Sequence, residues 1–394
     1  MTAASFRRGR PLAPTPPPAP FGFATPAITR EDVDAVVAVL SNGWLTTGSV
    51  CDALERELGE YLGVPHVVTV SSCTAALEIA FAHLGLGPGR RVGVPVWTFV
   101  SSGLAAVRHG ATPVLLDVDA DTLNLAPAAL EAALSEGLDA VVAVHFGGVP
   151  VDRAVHELCA EAGVPLVEDA AHAIGATDHR GRVAGQGSVA ACFSFYASKN
   201  ITSAEGGALA TENETVASFA RAYRLHGLSS GTLERNGSGH DGYDCLLPGM
   251  KANLPDVLAA LARSQLARFA ESQARRRSLV ERYRHRLAGI ESVQVVPSSP
   301  AAGGADHLLV VLLPEGVPRK AVADELKVGG IPTSVHFPPL HHLSWFRENA
   351  LIGPGGTPVA DRLASRALSL PLHVGLRPDD VDLVCEALAA ALLT

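Results

Sequence analysis

FSFYASKNITSAEGG, residues 193–207, sets a single lysine, Lys199, among apolar and small residues and closes on a glycine pair. The runs on either side, Val189–Phe195 and Gly207–Thr211, are short and apolar, so they read as two strands joined across the lysine. Lysine is seldom fully buried. Held between two buried strands, its ammonium loses hydration and its pKa falls, which is what an amine nucleophile needs to attack a carbonyl. Taken alone, the same segment also reads as a turn carrying a surface lysine. The neighbouring sequence decides between these readings.

Toward the N-terminus lie five more such runs: His66–Val70, Arg91–Val94, Pro113–Asp117, Asp139–Val144 and Pro165–Asp169. They alternate with helical stretches, which predicts an α/β fold with a mostly parallel seven-stranded sheet covered on both faces. Ahead of them, Thr29–Leu40 reads as a helix capped by Thr29 and Asp32, with Val33, Val36, Val37 and Leu40 on one apolar stripe. Beyond the sheet, Pro255 to Leu287 reads as one long helix whose Arg275–Arg277 run is a solvated face. Strands near 293–296 and 307–313 and helices near 318–327 and 378–392 complete a smaller α+β unit. The expected organisation is a Pro-rich flexible tail over residues 1–24, a large domain over 25–265 and a small C-terminal domain over 266–394.

Composition narrows the function. The chain has 394 residues, 47% hydrophobic and 18% charged, enough to bury a large core and far from the disordered range. Lys plus Arg total 31 against 40 for Asp plus Glu, a net charge of −9, which argues against a nucleic-acid binder. No apolar run is long enough for a membrane span, and the first twenty residues lack the apolar segment of a secretory signal, so a cytoplasmic location is expected. Six cysteines without a CxxC pair read as reduced.

In open α/β sheets, ligands gather beyond the carboxyl ends of the strands. After His66–Val70 comes Ser71-Ser72-Cys73-Thr74, opening a helix whose N-terminal amides can cradle an anion, or which the hydroxyls simply cap. After Arg91–Val94 comes Trp97, a plate for a flat ligand or a core residue. The strand Pro165–Asp169 ends in Asp169, with His172 three residues on. Burying that acid costs free energy without a partner; capping the next segment is the plainer reading. Anion cradle, aromatic plate, buried acid and lysine are together what pyridoxal 5'-phosphate asks of a protein, for its phosphate, ring, ring nitrogen and aldehyde.

With these segments in view, the chain resembles the DegT/DnrJ/EryC1/StrS family of sugar aminotransferases, fold-type I pyridoxal-phosphate enzymes. The resemblance rests on GWLTTG (43–48), SSCTAAL (71–77), PVWTF (95–99), EDAAHAIGA (168–176), FSFYASKNITSAEGG (193–207), LHG (225–227), KANLPDVLAAL (251–261), SVHFPPLH (334–341) and SLPLH (369–373), in that order. It implies that Lys199 takes the cofactor's aldehyde, that Asp169 faces the ring nitrogen, and that His172 lies against the ring or its 3'-oxygen. It implies a stacking role for Trp97 and phosphate contacts from Cys73, Thr74 and Ser194. Asn253 matches an asparagine supplied by a neighbouring subunit, hence a homodimer with shared active sites. Thr46, Thr47 and His336 fall in substrate-facing segments. Ala204 and Ala252 depart from the family pattern. No metal is expected: His336, His341 and His342 lack a carboxylate or cysteine at a recognisable ligand spacing.

The implied activity is transfer of an amino group from L-glutamate to a nucleoside-diphosphate keto-sugar, at C-4, in an antibiotic or surface-glycan pathway. The alternatives are a C-3 keto-sugar or a keto-inositol acceptor, which would alter the segments around Trp44 and His336. A sugar dehydratase of the same family would carry His in place of Lys199. A non-catalytic binding protein on this fold would show a degraded cofactor site.

Overall fold

The computed structural model describes residues 22–178, 181, 184–229, 243–298 and 303–393; the expected tail, up to residue 21, lies outside them. The seven sequence-predicted strands all form: β1 (His66–Val70), β2 (Arg91–Pro95), β3 (Thr112–Leu116), β4 (Ala140–Val144), β5 (Leu166–Asp169), β6 (Ala190–Ser194) and β7 (Gly207–Thr211). Two more, β8 (Gln294–Val296) and β9 (Leu309–Leu312), belong to a second sheet. The main sheet holds eight strands, not seven, in the order β1-β7-β6-β5-β4-β2-β3-β10. The eighth, β10 (Leu351–Ile352), comes from far along the chain and pairs in parallel with β3. Two exposed residues carry no periodicity, so the sequence gives no sign of it. β7 runs antiparallel to both β6 and β1, and the remaining pairings are parallel. Strand β4 is buried along its whole length, as expected for a sheet covered on both faces.

The first helix, α1 (Arg30–Asn42), starts where its capping signal predicts: the Asp32 amide and Thr29 Oγ1 are 3.4 Å apart, and the Thr29 amide donates back to Asp32 Oδ2 at 3.0 Å. Its orientation reverses the expectation. Val33, Val37 and Leu40 are 48%, 49% and 53% exposed, while Asp32 is fully buried. Arg268 and Gln265 account for this, since both donate to the Asp32 carboxylate, at 2.5 and 2.8 Å, and turn its side of α1 inward.

The helix expected over 255–287 is two, Asp256–Ala267 and Phe269–Leu287, because Arg268 leaves helical geometry at φ −113° and ψ 14°. The arginine run also differs from its reading as a solvated face. Arg276 falls in register with the buried Phe269, Gln273, Val280, Tyr283 and Leu287, so helical spacing carries it inside, where Asp306, His307 and Leu372 carbonyls accept from it. Only Arg277 of the three is mainly solvated at its side chain, 3.8 Å from Asp306.

The second sheet, in the order β11-β9-β8 with β11 (Ala367–Leu370), packs against helices Phe269–Leu287 and Pro378–Ala391 through Tyr283, Leu287, Val311, Leu368, Val384 and Leu388. No helix among the described residues is long and apolar enough to cross a membrane.

Candidate active site

Asp169 ends β5 in the middle of the main sheet, opposite Val144 of β4 and Cys192 of β6. A carboxylate there is costly to bury unless donors surround it. Three do. The Ser102 hydroxyl donates to Oδ2 at 2.7 Å; the Ala171 amide and the Cys73 thiol face Oδ1 at 3.2 and 3.7 Å.

Lys199 lies in the turn that leaves β6. Phe195 accepts the Ser203 amide and donates to Gly206, both at 2.9 Å, and the Lys199 amide donates to the Tyr196 carbonyl, also at 2.9 Å. This closed turn presents the lysine at the sheet's carboxyl edge. Burial lowers its pKa to about 8, against the opposing pull of Cys73 and Asp169. The charge on Lys199 in turn helps depress His172, His307 and His336, so all three ring systems lie within its field.

His172 is buried, and its Nδ1 accepts the Gly147 amide at 3.2 Å, which places the ring proton on Nε2. Burial, with the charge on Lys199, holds it neutral. Its ring lies 4.4 Å from that of His307, which Asn200 holds through a 2.9 Å bond to Nδ1.

Helix α3 (Cys73–His83) begins beside Asp169. The Ser72 hydroxyl accepts the Ala75 amide at 3.1 Å, and the amides of Cys73 and Thr74 point out of the helix end. A Cβ on Gly207 would come within 2.7 Å of the Cys73 amide nitrogen, so only glycine lets β7 pass this close. The Cys73 thiol is committed to Asp169 and to the Cys192 carbonyl at 3.1 Å. Any phosphate contact from Cys73 therefore falls to its main chain. Ser194, partly buried at the end of β6, accepts the Tyr196 amide at 3.3 Å. Ala204 adopts φ 69°, a left-handed conformation that glycine takes up without strain.

Trp97 does not form the plate. It is fully buried, and its indole donates to the His336 carbonyl at 3.0 Å, leaving no face for a ligand. Phe99, two residues later at the start of helix α4 (Val100–Arg108), is 53% exposed and 5.5 Å from Phe337. It is the aromatic available for stacking. The sequence does not single out Phe99, Ser102, His307 or Asn200; the second aromatic of PVWTF is the one hint, without the exposure that would choose it over Trp97.

Thr46, Thr47 and Asn253 form a second cluster. The Asn253 carboxamide donates to Thr47 Oγ1 at 2.6 Å, Thr47 donates to the Leu254 carbonyl at 2.5 Å, and Lys251 donates to Asn253. The Thr46 carbonyl accepts the Asp256 amide at 3.2 Å. His336 stands apart from them, bonded to Ser369 Oγ at 2.9 Å and stacked on Phe23 at 5.4 Å, its pKa lowered to about 4 by burial and by Lys199. The fold also brings Asp361 to His341 and His342, at 2.7 and 3.1 Å, the carboxylate that sequence spacing does not reveal. It closes a half-exposed ion-pair cluster.

An amine with a lowered pKa, a carboxylate held by three donors, a neutral imidazole and an open helix N-terminus meet at the carboxyl edge of the sheet. Their chemistry fits a phosphorylated pyridine aldehyde.

Comparison with known proteins agrees. A model of the DegT/DnrJ/EryC1/StrS aminotransferase family matches residues 26–389. The spore coat polysaccharide biosynthesis protein SpsC of Bacillus subtilis is 38% identical over 376 residues, covering 93% of this chain and 95% of that protein. Spr1654 of Streptococcus pneumoniae, assigned as a sugar aminotransferase and solved in its PLP-form, superposes with a TM-score of 0.85 at 29% identity, over 95% of this chain and 98% of its own. DesI, solved in the presence of its TDP-sugar product, superposes with a TM-score of 0.82 at 30% identity, over 95% of this chain and 94% of its own.

Proposed function

This chain belongs to the DegT/DnrJ/EryC1/StrS aminotransferase family, and from that membership we propose that it moves an amino group from L-glutamate to C-4 of a nucleoside-diphosphate keto-sugar. It is a pyridoxal-phosphate-dependent aminotransferase of the sugar-modifying kind. The observation that carries the reading is the buried amine of Lys199, its pKa near 8, beside the hydrogen-bonded Asp169.

Bound pyridoxal phosphate supplies an aldehyde that links to amines and a protonated ring that accepts the electrons of a broken Cα–H bond. Lys199 supplies the amine that holds it. When not joined to the cofactor, the Lys199 amine would be the base that takes the proton from the donor's Cα. Asp169 holds a proton at the ring nitrogen, and Ser102, Ala171 and Cys73 keep its carboxylate in place. His172 would offer its Nε2–H to the ring, Phe99 would offer a stacking face, and the amides of Cys73 and Thr74, with Ser194, would seat the phosphate.

The SVHFPPLH (334–341) and GMKANLPD (249–256) segments resemble the branch of the family that aminates C-4 more than the C-3 branch, and DesI's TDP-sugar supports a nucleotide-linked acceptor. The second cluster and the exposed apolar face of α1 support a homodimer in which Asn253 serves the neighbouring site. A holoenzyme that sediments as a single chain would contradict that arrangement. The test of the reaction is incubation with L-glutamate and, in parallel, 4-keto and 3-keto TDP-sugars and a keto-inositol, with the aminated carbon located by NMR. Amination at C-4 is the expected result; amination only at C-3 or only of the inositol overturns the assignment.

A further inference from the structure

We propose that Ser102, backed by Thr98, is a positioning residue that fixes the Asp169 carboxylate toward the cofactor's ring nitrogen; the inference rests on the reading of Asp169 given above.

Ser102 is fully buried in the first turn of α4, and Thr98 is buried one turn before it. The Ser102 hydroxyl lies 2.7 Å from Asp169 Oδ2 and 2.7 Å from Thr98 Oγ1. Chemistry sets the direction of this chain. An ionised carboxylate only accepts, so Ser102 spends its one proton on Asp169. Its oxygen then accepts, and Thr98 is the donor of the second link. A serine inside a helix ordinarily turns its hydroxyl back to the carbonyl four residues earlier. Here it joins the Thr98 side chain to the acid, so two hydroxyls on α4 and its lead-in serve a residue at the end of β5.

The two oxygens of Asp169 are held from different sides. Oδ2 is held by Ser102, while Oδ1 faces the Ala171 amide and the Cys73 thiol. The bonds on Oδ1 are longer, so Ser102 makes the strongest of the three and sets the rotation of the carboxylate plane. A carboxylate held in a fixed plane is what a protonated pyridine nitrogen needs as its partner.

The experiment compares wild type, Ser102→Ala, Ser102→Thr and Thr98→Val as apoenzymes. Dissociation constants are measured by quenching of tryptophan fluorescence with two probes, pyridoxal phosphate and its 1-deaza analogue, in which carbon replaces the ring nitrogen. Melting of each apoenzyme, followed by circular dichroism, verifies folding. The expected result is an increase of about tenfold or more for pyridoxal phosphate on Ser102→Ala, the weight of a hydrogen bond to a charged group. Ser102→Thr keeps the hydroxyl and restores most of the affinity; Thr98→Val shows a smaller loss in the same direction. With the deaza analogue, wild type and Ser102→Ala bind alike, because Asp169 has no nitrogen to face. An equal loss with both probes makes Ser102 structural only and overturns the proposal, as does unchanged affinity in Ser102→Ala. A wild-type protein that binds neither probe overturns the cofactor reading itself, a different failure.

Discussion

Lys199 shows how much one residue's surroundings decide. In water its amine would be almost wholly protonated at neutral pH; at a pKa near 8 about a tenth is free at pH 7 and half at pH 8. The sign follows from burial, which penalises the ammonium, so the reactive fraction grows about tenfold per unit well below pH 8, about fivefold from pH 7 to pH 8, and then levels off. Modification of Lys199 in the apoenzyme by an amine reagent, read by peptide mass spectrometry, should therefore rise through a midpoint near 8. An ordinary lysine midpoint near 10.4 would remove the burial argument. Lys199 and Asp169 were legible because a charge in an apolar strand context demands a partner. Trp97 was misread because the segment after β2 is a turn, where no alternation tells which of Trp97 and Phe99 faces out; packing against His336 put Trp97 inside.

At the scale of elements, the sheet was legible because its strands are short apolar runs between helices, and each sequence-predicted strand of the main sheet formed. Features set by distant contacts were not. Helix α2 (Ser49–Leu62) starts at Gly48 with no side-chain cap of its own. The buried carboxylate of Asp256 caps it instead, accepting the Gly48, Val50 and Cys51 amides at 2.8, 3.2 and 3.0 Å. More than two hundred residues separate the cap from its helix, so no capping signal appears locally. Asp256→Ala removes three acceptor contacts at a helix start, and should cost about 2 kcal/mol of stability, read as a lower urea midpoint of the holoenzyme. An unchanged midpoint would mean that water replaces the cap without loss. Thr47 and Asn253 lie in the segments this carboxylate joins, so the same variant should also disturb that cluster.

At the scale of the molecule, we propose the division into a large domain over 25–265 and a small one over 266–394, with one qualification of substance. Leu340, Phe346, Ala360 and Leu363, from the C-terminal third, share a core with Val94, Trp97 and Leu115. The segment that contains β10 thus returns to the main sheet and carries His336 and Phe337 to the site. Resemblance to the family pointed to candidate site residues along the chain, Trp97 excepted, whereas the arrangement of α1, β10 and Asp256 came only from three-dimensional packing.

The central claim is that Lys199 holds the cofactor. The chain contains only four lysines, at positions 199, 251, 320 and 327, so the claim can be tested directly. The holoenzyme is reduced with borohydride, digested and analysed by mass spectrometry for a phosphopyridoxyl group. The group should be found on the peptide containing Lys199 and should disappear in Lys199→Ala. A group on Lys251, Lys320 or Lys327, or reconstituted protein that carries none, would contradict it.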